Sequence, residues 1–508
     1  TSGSFASVWL PALMTAFRWA NRENTIRARP ANESPTHFHP NHVLQTTLHQ
    51  QEFLKLSSAP LIRSVFILGL LLTITGCGTP FKRLHSARDL FANGDLEATR
   101  VALEKVGESH SRYSDPAELD LAIVELASGK PVDAERRLRT LRDKFDRTPK
   151  INGVKEFASM VSDDTALAFR PSGYEEVLIR SMLAVCSLAH DQLDAESYTL
   201  QAMAKQSELA RNSKQRGILK ADDIYQPIAF APYLRGVLRE ATHRNYDDAE
   251  RSYRLVSEVQ PEFSPIGADI QRASVGSHSE PEHGVIYIIA CTGRGPVLEE
   301  TEAPTTTAAM QIASVMLQHL EAEKNEDGEE QPLHLPNLAS VKVPKVTLPP
   351  SNIASVGVEV DGRPVGVTET ITNIEQLAIK QVEAEMPWTI ARAMVRRVAK
   401  DLAVAKASNS LGLDGMDGTL FRVAASTLWS GMENADTRCW SLLPREIQVL
   451  RLELPVGSHE FALSSLGWSE EVYQTSDPLT LNVVNGKNQY IIAIAPDEHI
   501  YTLAASKL

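Results

Sequence analysis

The sequence predicts an α+β protein: an α-helical solenoid of paired helices, then a mixed α/β half that ends in a small antiparallel β-module. Three observations carry this expectation. Between residues 82 and 260, apolar residues recur at helical spacing, in pairs of segments parted by Gly or polar breaks. Beyond residue 284 the apolar runs are short, rich in Ile and Val, and bounded by turn residues. Before residue 60 neither period is found, and that stretch reads as a disordered preface.

The composition of the 508-residue chain, 43% hydrophobic and 23% charged, is that of an ordinary globular protein with room for two or three domains. A net charge of −13 argues against nucleic acid as a partner, because neutralising phosphates takes a basic face. Aromatic content of 6% disfavours base-stacking platforms and Trp-lined carbohydrate clefts. The four cysteines, Cys77, Cys186, Cys291 and Cys439, lie far apart with no CxxC pair, so neither a zinc site nor a disulfide framework is expected.

Taken in order, residues 1–60 begin with Thr and scatter Pro, Asn, Ser and His without a period, as an over-extended start would. They gather His37, His39, His42 and His49, but a metal site needs a fold to orient its imidazoles and a Pro- and Asn-rich tail offers none, so no metal is expected there. Residues 61–76 read as a signal peptide. The run Val65 to Ile74 has the length of an h-region and is short for a bilayer span, with Lys55 and Arg63 before it. Ile74-Thr75-Gly76-Cys77 then matches the bacterial lipobox, in which the thiol of Cys77 takes a diacylglyceryl group and small residues before it fit the signal peptidase. Two or three acyl chains anchor a protein firmly, where one is marginal.

Residues 77–275 form the helical part. The first pair places Leu84, Ala87 and Phe91 on one face, breaks at Asn93-Gly94, and resumes with Leu96, Thr99, Leu103 and Val106. The second carries Leu119, Ala122, Ile123 and Leu126, then Ala134, Leu138, Leu141 and Phe145 beyond Gly129. Residues 174–204 and 232–261 supply two further pairs, the last stopping at Pro261. Each turn is followed by an acidic residue and an alanine: "GDLEA", "KPVDA", "DQLDA" and "NYDDA". Ala98, Ala134, Ala195 and Ala249 are small because the two helices of a hairpin cross closely there. This layout resembles tetratricopeptide (TPR) repeats, although these alanines lie 36, 61 and 54 residues apart, off the period of roughly 34. The resemblance implies a concave surface for a peptide or protein, with two readings open: the groove is free, or it is filled by the protein's own second half.

Residues 280–430 read as a mixed α/β domain. "GVIYIIACTG" is a buried strand with Cys291 as a core thiol, and "TGRGP" is a strand-ending turn. A helix over "TTTAAMQIASVMLQHLEAE" leads to an acidic tip, "KNEDGEEQP". Strands follow in "SVKVPKVTLPP" and "ASVGVEVDGRPVGVTET", the latter turning at Asp361-Gly362. Two helices are expected over 372–386 and 388–407, broken at Pro387. The second carries a basic stripe, Arg392, Arg396 and Lys400, which reads as a solvated face or one for acidic headgroups or a partner. Residues 431–508 are expected to form the antiparallel β-module, packed on the preceding domain. Its strand from Ile447 is expected to turn at Pro455-Val456-Gly457 and return on itself over His459 to Leu463, and a last hairpin to turn at Asn485-Gly486.

The lipobox, the helical pairs, "GVIYIIACTGRGPVLEE" and "ADTRCWSLLPREIQVLRLELPVGSHEF" together resemble a family of uncharacterised bacterial TPR-containing lipoproteins, over roughly residues 77–495. "LPVGSHEFAL" also resembles the PEGA-type turn of surface-associated β-modules. The family brings no established activity. No GxSxG elbow, HExxH helix or P-loop is present, and no cofactor or enzymatic activity is expected. The best polar cluster is Asp436, Arg438, Trp440 and His459. Asp and Arg two apart on a strand share a face, either as a structural ion pair or as a cradle for an anionic ligand.

The expected function is that of a protein–protein interaction scaffold, anchored to the cell envelope through Cys77 and facing the periplasm from the outer membrane of a Gram-negative cell. Its partners are the membrane and an envelope protein, with no nucleic acid. The competing expectation is an envelope ligand-binding protein or hydrolase with its site in the C-terminal half, around Asp436 and Arg438.

Overall fold

The computed structural model of the protein describes residues 79–147, 168–215, 228–324, 340–410 and 434–504, together with 415–416, 419–420 and 422–423. The preface, the signal segment, the lipobox residues Ile74, Thr75 and Gly76, Cys77 and the acidic tip lie outside the described residues.

Helices come first in the chain and sheets later, a mixed α+β arrangement. Helices α1 (Thr79–Ala92) and α2 (Leu96–Ser109), α3 (Ser114–Ala127) and α4 (Pro131–Arg147), α5 (Gly173–Leu188) and α6 (Ala195–Gln215), and α7 (Phe230–Glu240) and α8 (Tyr246–Val259) follow one another, each packed against the next. A ninth helix, α9 (Ile266–Ser274), packs on α8. The turn chemistry is visible at α2, where Asp95 caps the helix and accepts the Ala98 N–H at 2.9 Å. At α5, Ser172 and Glu175 form a capping box.

Ala134, Ala195 and Ala249 are fully buried at the starts of α4, α6 and α8, where the paired helices meet. The first pair differs. Ala98 is half-buried, and Thr99, one residue on, is the fully buried one. Helix α2 starts at Leu96, so Thr99 occupies the helical position that Ala134 and Ala249 hold in α4 and α8. Its hydroxyl is satisfied by the Asp95 carbonyl at 2.6 Å.

Strand β1 (His283–Arg294) opens the second half and is followed by β2 (Val297–Pro304), α10 (Thr307–Lys324), β3 (Ser340–Thr347), β4 (Ile353–Val360), β5 (Arg363–Val367) and β6 (Glu369–Asn373). Then come α11 (Ile374–Ser410), β7 (Pro444–Pro455), β8 (Gly457–Gly467), β9 (Val472–Thr475), β10 (Leu479–Val483), β11 (Asn488–Ala495) and β12 (Tyr501–Ala504). One sheet has the order β12-β11-β1-β7-β6, a second β10-β8-β4-β5 with β9 on β8, and β2 and β3 form a separate ribbon.

The central strand β1 is buried on both faces, which is why it reads as a continuous apolar run rather than an alternating one. Val285, Tyr287, Ile289 and Cys291 pack with the helices. Ile286, Ile288 and Ala290 pack against Val356, Val358, Phe461 and Leu463 of the second sheet. Successive side chains of a strand point to opposite faces, so one strand serves two cores. The result is three layers: helices, the β1 sheet, and the second sheet.

The strands after residue 443 do not form an antiparallel module of their own, as the sequence had suggested. β11 runs parallel to β1, with Val285 opposite Asn488, and β7 runs antiparallel on its other side. The turn at Val456 does not fold β8 back on β7. It passes the chain from the first sheet to the second, where β8 pairs with β4 and β10. Strands that switch sheets at a corner close a sandwich, and the Val456 N–H bonded to the Glu282 carbonyl at 2.9 Å holds this corner to the start of β1. Asn485-Gly486 also makes a turn, with Lys487 N–H on the Val484 carbonyl at 3.1 Å, but β10 and β11 lie in different sheets. Asp361-Gly362 does close a hairpin: β4 and β5 pair around it, and both residues have positive φ, 51° and 73°, as a type I′ turn requires.

Pro387 does not divide the helix that contains it. α11 runs unbroken from Ile374 to Ser410, and residues 372–373, expected as helix, belong to β6. A proline removes one intrahelical hydrogen bond, and packing on both sides of it outweighs that loss. Ile374 and Ala378 enter the helix–sheet core, while Ile390, Ala391, Met394 and Val395 form a third core with α10 and β3. The basic stripe is not a solvated face either. Arg396 is buried, and Arg392 and Lys400 are half-buried.

Candidate functional site

The four residues that the sequence groups do not converge. Asp436, Arg438 and Trp440 lie on an irregular segment, not a strand, that runs past the helices. Arg438 donates from Nε to Asp436 Oδ1 at 2.8 Å and from its second terminal nitrogen to Oδ2 at 2.7 Å, a two-pronged pair. Its remaining terminal nitrogen donates to the Arg112 carbonyl at 3.2 Å, and the guanidinium stacks 5.8 Å from the Phe169 ring. The Trp440 side chain is buried, and its backbone N–H donates to Glu175 Oε1 at 2.7 Å. His459 lies in the second sheet, its ring bonded to Asp361 at 2.7 Å and to the Pro455 carbonyl at 2.9 Å. Asp436 and Arg438 therefore hold a loop in place, and His459 secures the hairpin turn.

The segment 439–443 also closes over the inner helices. Asp120 on α3 accepts from Ser441 Oγ at 2.6 Å and from Leu442 N–H at 2.8 Å. On α5, the Tyr174 N–H donates to Gln381 at 2.9 Å, and on α7 the Val237 carbonyl accepts from Asn488 at 3.3 Å. The first helix of each later pair is thus bonded to the protein's own second half.

Among the described residues, a cleft of about 620 Å³ lies between α4, α5 and α6. At its centre Asp146 accepts from Arg180 at 2.6 and 2.7 Å and from Lys205 at 3.0 Å. Lys205 also lies 3.3 Å from Glu176 and 3.1 Å from Glu208. The two cations are buried, whereas the Asp146 and Glu208 carboxylates are 40% and 37% exposed, so the cleft shows acid over a base-lined floor. Burial pushes the Asp146 carboxyl up, but Arg180 and Lys205 outweigh it and hold it below its ordinary range. Burial opposes the Lys205 ammonium in the same way, and Glu176, Asp146 and Glu208 more than offset it. Exposed Arg170 and Arg211 stand at the rim.

One signal for this cleft was present in the sequence. Arg180 is the one charge in α5 after its first turn, in a helix that is otherwise apolar but for two serines, and a buried charge there needs a partner. Its partner Asp146 is 34 residues away and is brought near only by packing.

Among the described residues no group of His, Cys, Asp and Glu could hold a metal ion, and no helix is long and apolar enough to cross a membrane. Cys186, Cys291 and Cys439 are free and buried. Burial pushes the Cys291 and Cys439 thiols up to about 12, which keeps them protonated at neutral pH. Comparison with family models, curated proteins and solved structures finds no match for this chain.

Proposed function

We propose that this protein is a lipid-anchored component of the bacterial cell envelope that binds a protein partner, with TPR-like helical pairs as its frame and the Asp146–Arg180–Lys205 cleft as its docking surface. The observation that carries the reading is the cleft itself: paired charges of both signs, half-exposed acids over buried bases, in a volume that admits a peptide segment. Such a surface suits a polar segment of mixed charge. The inner side of the helical array is bonded to the second half of the chain, which moves the docking surface to the outer side. Cys77 after Ile74-Thr75-Gly76 supports the anchor, and placement on the periplasmic face of the outer membrane follows from the lipobox reading in a Gram-negative cell. The competing site at Asp436 and Arg438 loses its support because the two side chains bind each other.

The test places a photo-crosslinking residue at Gln201, on the cleft, and in a control chain at exposed Trp468 in living cells. A partner captured from Gln201, absent from Trp468 and lost with Lys205→Met, supports the reading. The same products from both positions, or none from Gln201, overturn it. For the anchor, Cys77→Ala shifts the protein from the membrane to the soluble fraction, and retention in the membrane refutes lipidation at that thiol.

A further inference from the structure

Two histidines join the helical half to the sheets at one corner. His243, exposed in the turn between α7 and α8, donates from Nε2 to the Gly486 carbonyl at 2.7 Å, since a carbonyl can only accept. His278, buried on the segment between α9 and β1, donates from Nε2 to Asn488 Oδ1 at 2.7 Å. Asn488 turns that oxygen to the ring because its Nδ2 donates to the Val237 carbonyl of α7 at 3.3 Å. The two imidazoles lie side by side, their centres 4.6 Å apart. The Gly486 N–H, bonded to the His283 carbonyl at 2.8 Å, ties the same β10–β11 turn to the start of β1.

The charges around His278 suit a neutral ring. Arg451 of β7 donates to the His278 carbonyl at 2.6 Å, and His243 stands on the other side. The nearby acids are already engaged. Glu240 of α7 accepts from Tyr253 of α8 at 2.6 Å and from Arg272 of α9 at 3.0 Å. Glu453 of β7 accepts from Arg451 at 3.2 Å and from the Glu280 N–H at 2.6 Å. His283 turns its Nδ1 to the Pro281 carbonyl at 2.9 Å. A place for an added proton exists all the same. His278 Nδ1 lies 3.1 Å from Ser279 Oγ, whose own proton goes to the His283 carbonyl at 3.3 Å, leaving a lone pair to accept from a protonated ring. Protonation therefore keeps the hydrogen bonds of the ring, and its cost is that of a buried charge without a carboxylate of its own. Burial above all holds His278 below its ordinary 6.5; Asn488 and Glu240 pull the other way, while His243 and Arg451 add to burial. The unfolded chain takes up the proton first, so the stability from this group is full above pH 6.5 and is lost as pH falls below it.

We propose that this pair is an acid-sensitive clasp: protonation of His278, between His243 and Arg451, releases the α7–α8 turn from the β10–β11 turn, and neutral pH closes it again. The corner shares no residue with the charged cleft, and its opening goes beyond the partner-binding reading.

Hydrogen exchange of the full-length protein tests it, read by mass spectrometry at about pH 7.5 and about pH 5.5 and corrected for the intrinsic exchange rate. The native protein should lose protection several-fold at the lower pH in residues 240–247 and 484–490, and keep it where β4 pairs with β8. His278→Gln retains an N–H donor for Asn488 and cannot titrate, so its protection there should be the same at both pH values. His243→Gln removes one neighbouring charge and should show a smaller acid loss. Circular dichroism checks that both variants are folded. Protection unchanged by acid in the native protein overturns the proposal, as does an equal acid loss in His278→Gln or a loss spread evenly over the chain. Should His278→Gln fail to fold, an undiminished acid loss in His243→Gln overturns it.

Discussion

Asp120 makes the stability of the helix–sheet junction depend on pH, with a sign opposite to that of most carboxylates. Burial is the largest influence on it and raises its carboxyl from 3.8 to about 7, against the opposing pull of Ser441, Arg88 and the backbone of Leu442. Between pH 4 and pH 7 the folded protein keeps a proton that the unfolded chain has released. Stability from this group is therefore fully present below the unfolded value and falls as pH rises to about 7, then levels off. Going from 3.8 to about 7 corresponds to about 4 kcal/mol across the whole window, and to about 3 kcal/mol between pH 5 and pH 8. Asp120→Asn keeps the size and an oxygen for the Leu442 N–H and cannot titrate. Unfolding free energies from urea titration at pH 5 and pH 8 are compared between the two proteins. Every other titrating group, His278 included, is common to both, so the difference isolates Asp120. The native protein should lose about 3 kcal/mol more than the variant on going from pH 5 to pH 8. Equal losses in the two proteins would refute the assignment of a buried, proton-retaining carboxyl.

Two further perturbations probe the helix pairs and the sandwich corner. A Cβ added at Gly236 on α7 would lie 2.4 Å from the Tyr253 ring on α8. Gly236→Ala should therefore lower the melting temperature, since overpacking costs about 1–3 kcal/mol against the roughly 1 kcal/mol that alanine gains as a helix former; a raised melting temperature would show that the pair has room to spare. His459 is raised above its ordinary 6.5 chiefly by its hydrogen bond to Asp361, so in Asp361→Ala its proton NMR titration should move down towards that value. An unmoved midpoint would mean that the Pro455 carbonyl, not Asp361, sets it.

Local elements were legible in the sequence because they rest on local physics. The helices and their Gly or polar breaks follow from periodicity, and β1 from an apolar run closed by Gly. The Asp361-Gly362 hairpin follows from two residues that tolerate positive φ. What the sequence concealed is which strands meet. A tight turn signals a change of direction, not the partner of the next strand, so Val456 and Asn485-Gly486 look the same whether the chain returns on itself or crosses to a second sheet. Pro387 misled for the opposite reason: a local rule was overridden by two separate cores along one helix. At the candidate sites, Asp436 and Arg438 are conspicuous because they are close in sequence. The cleft is assembled from residues on different elements, where only a lone charge in apolar surroundings, Arg180, gives a hint.

The burial of α5 decides how the helical half can be studied. All but one of its sixteen residues are buried, from Gly173 to Leu188, with Glu176 the half-buried exception. A helix buried on all sides belongs inside a structure rather than on the surface of an array. Its cover comes from other helices and from the second half: Trp440 bonds to Glu175, and Tyr287, Cys291, Tyr490 and Ile492 enter the same core. Cutting the chain after α9 would expose this face, take the Leu442 N–H from Asp120 and the Trp440 N–H from Glu175, and strip the inner walls from the helix pairs. The helical half is therefore one wall of a shared core, and the partner binding proposed for the Asp146 cleft must be tested on a chain that keeps its sheets.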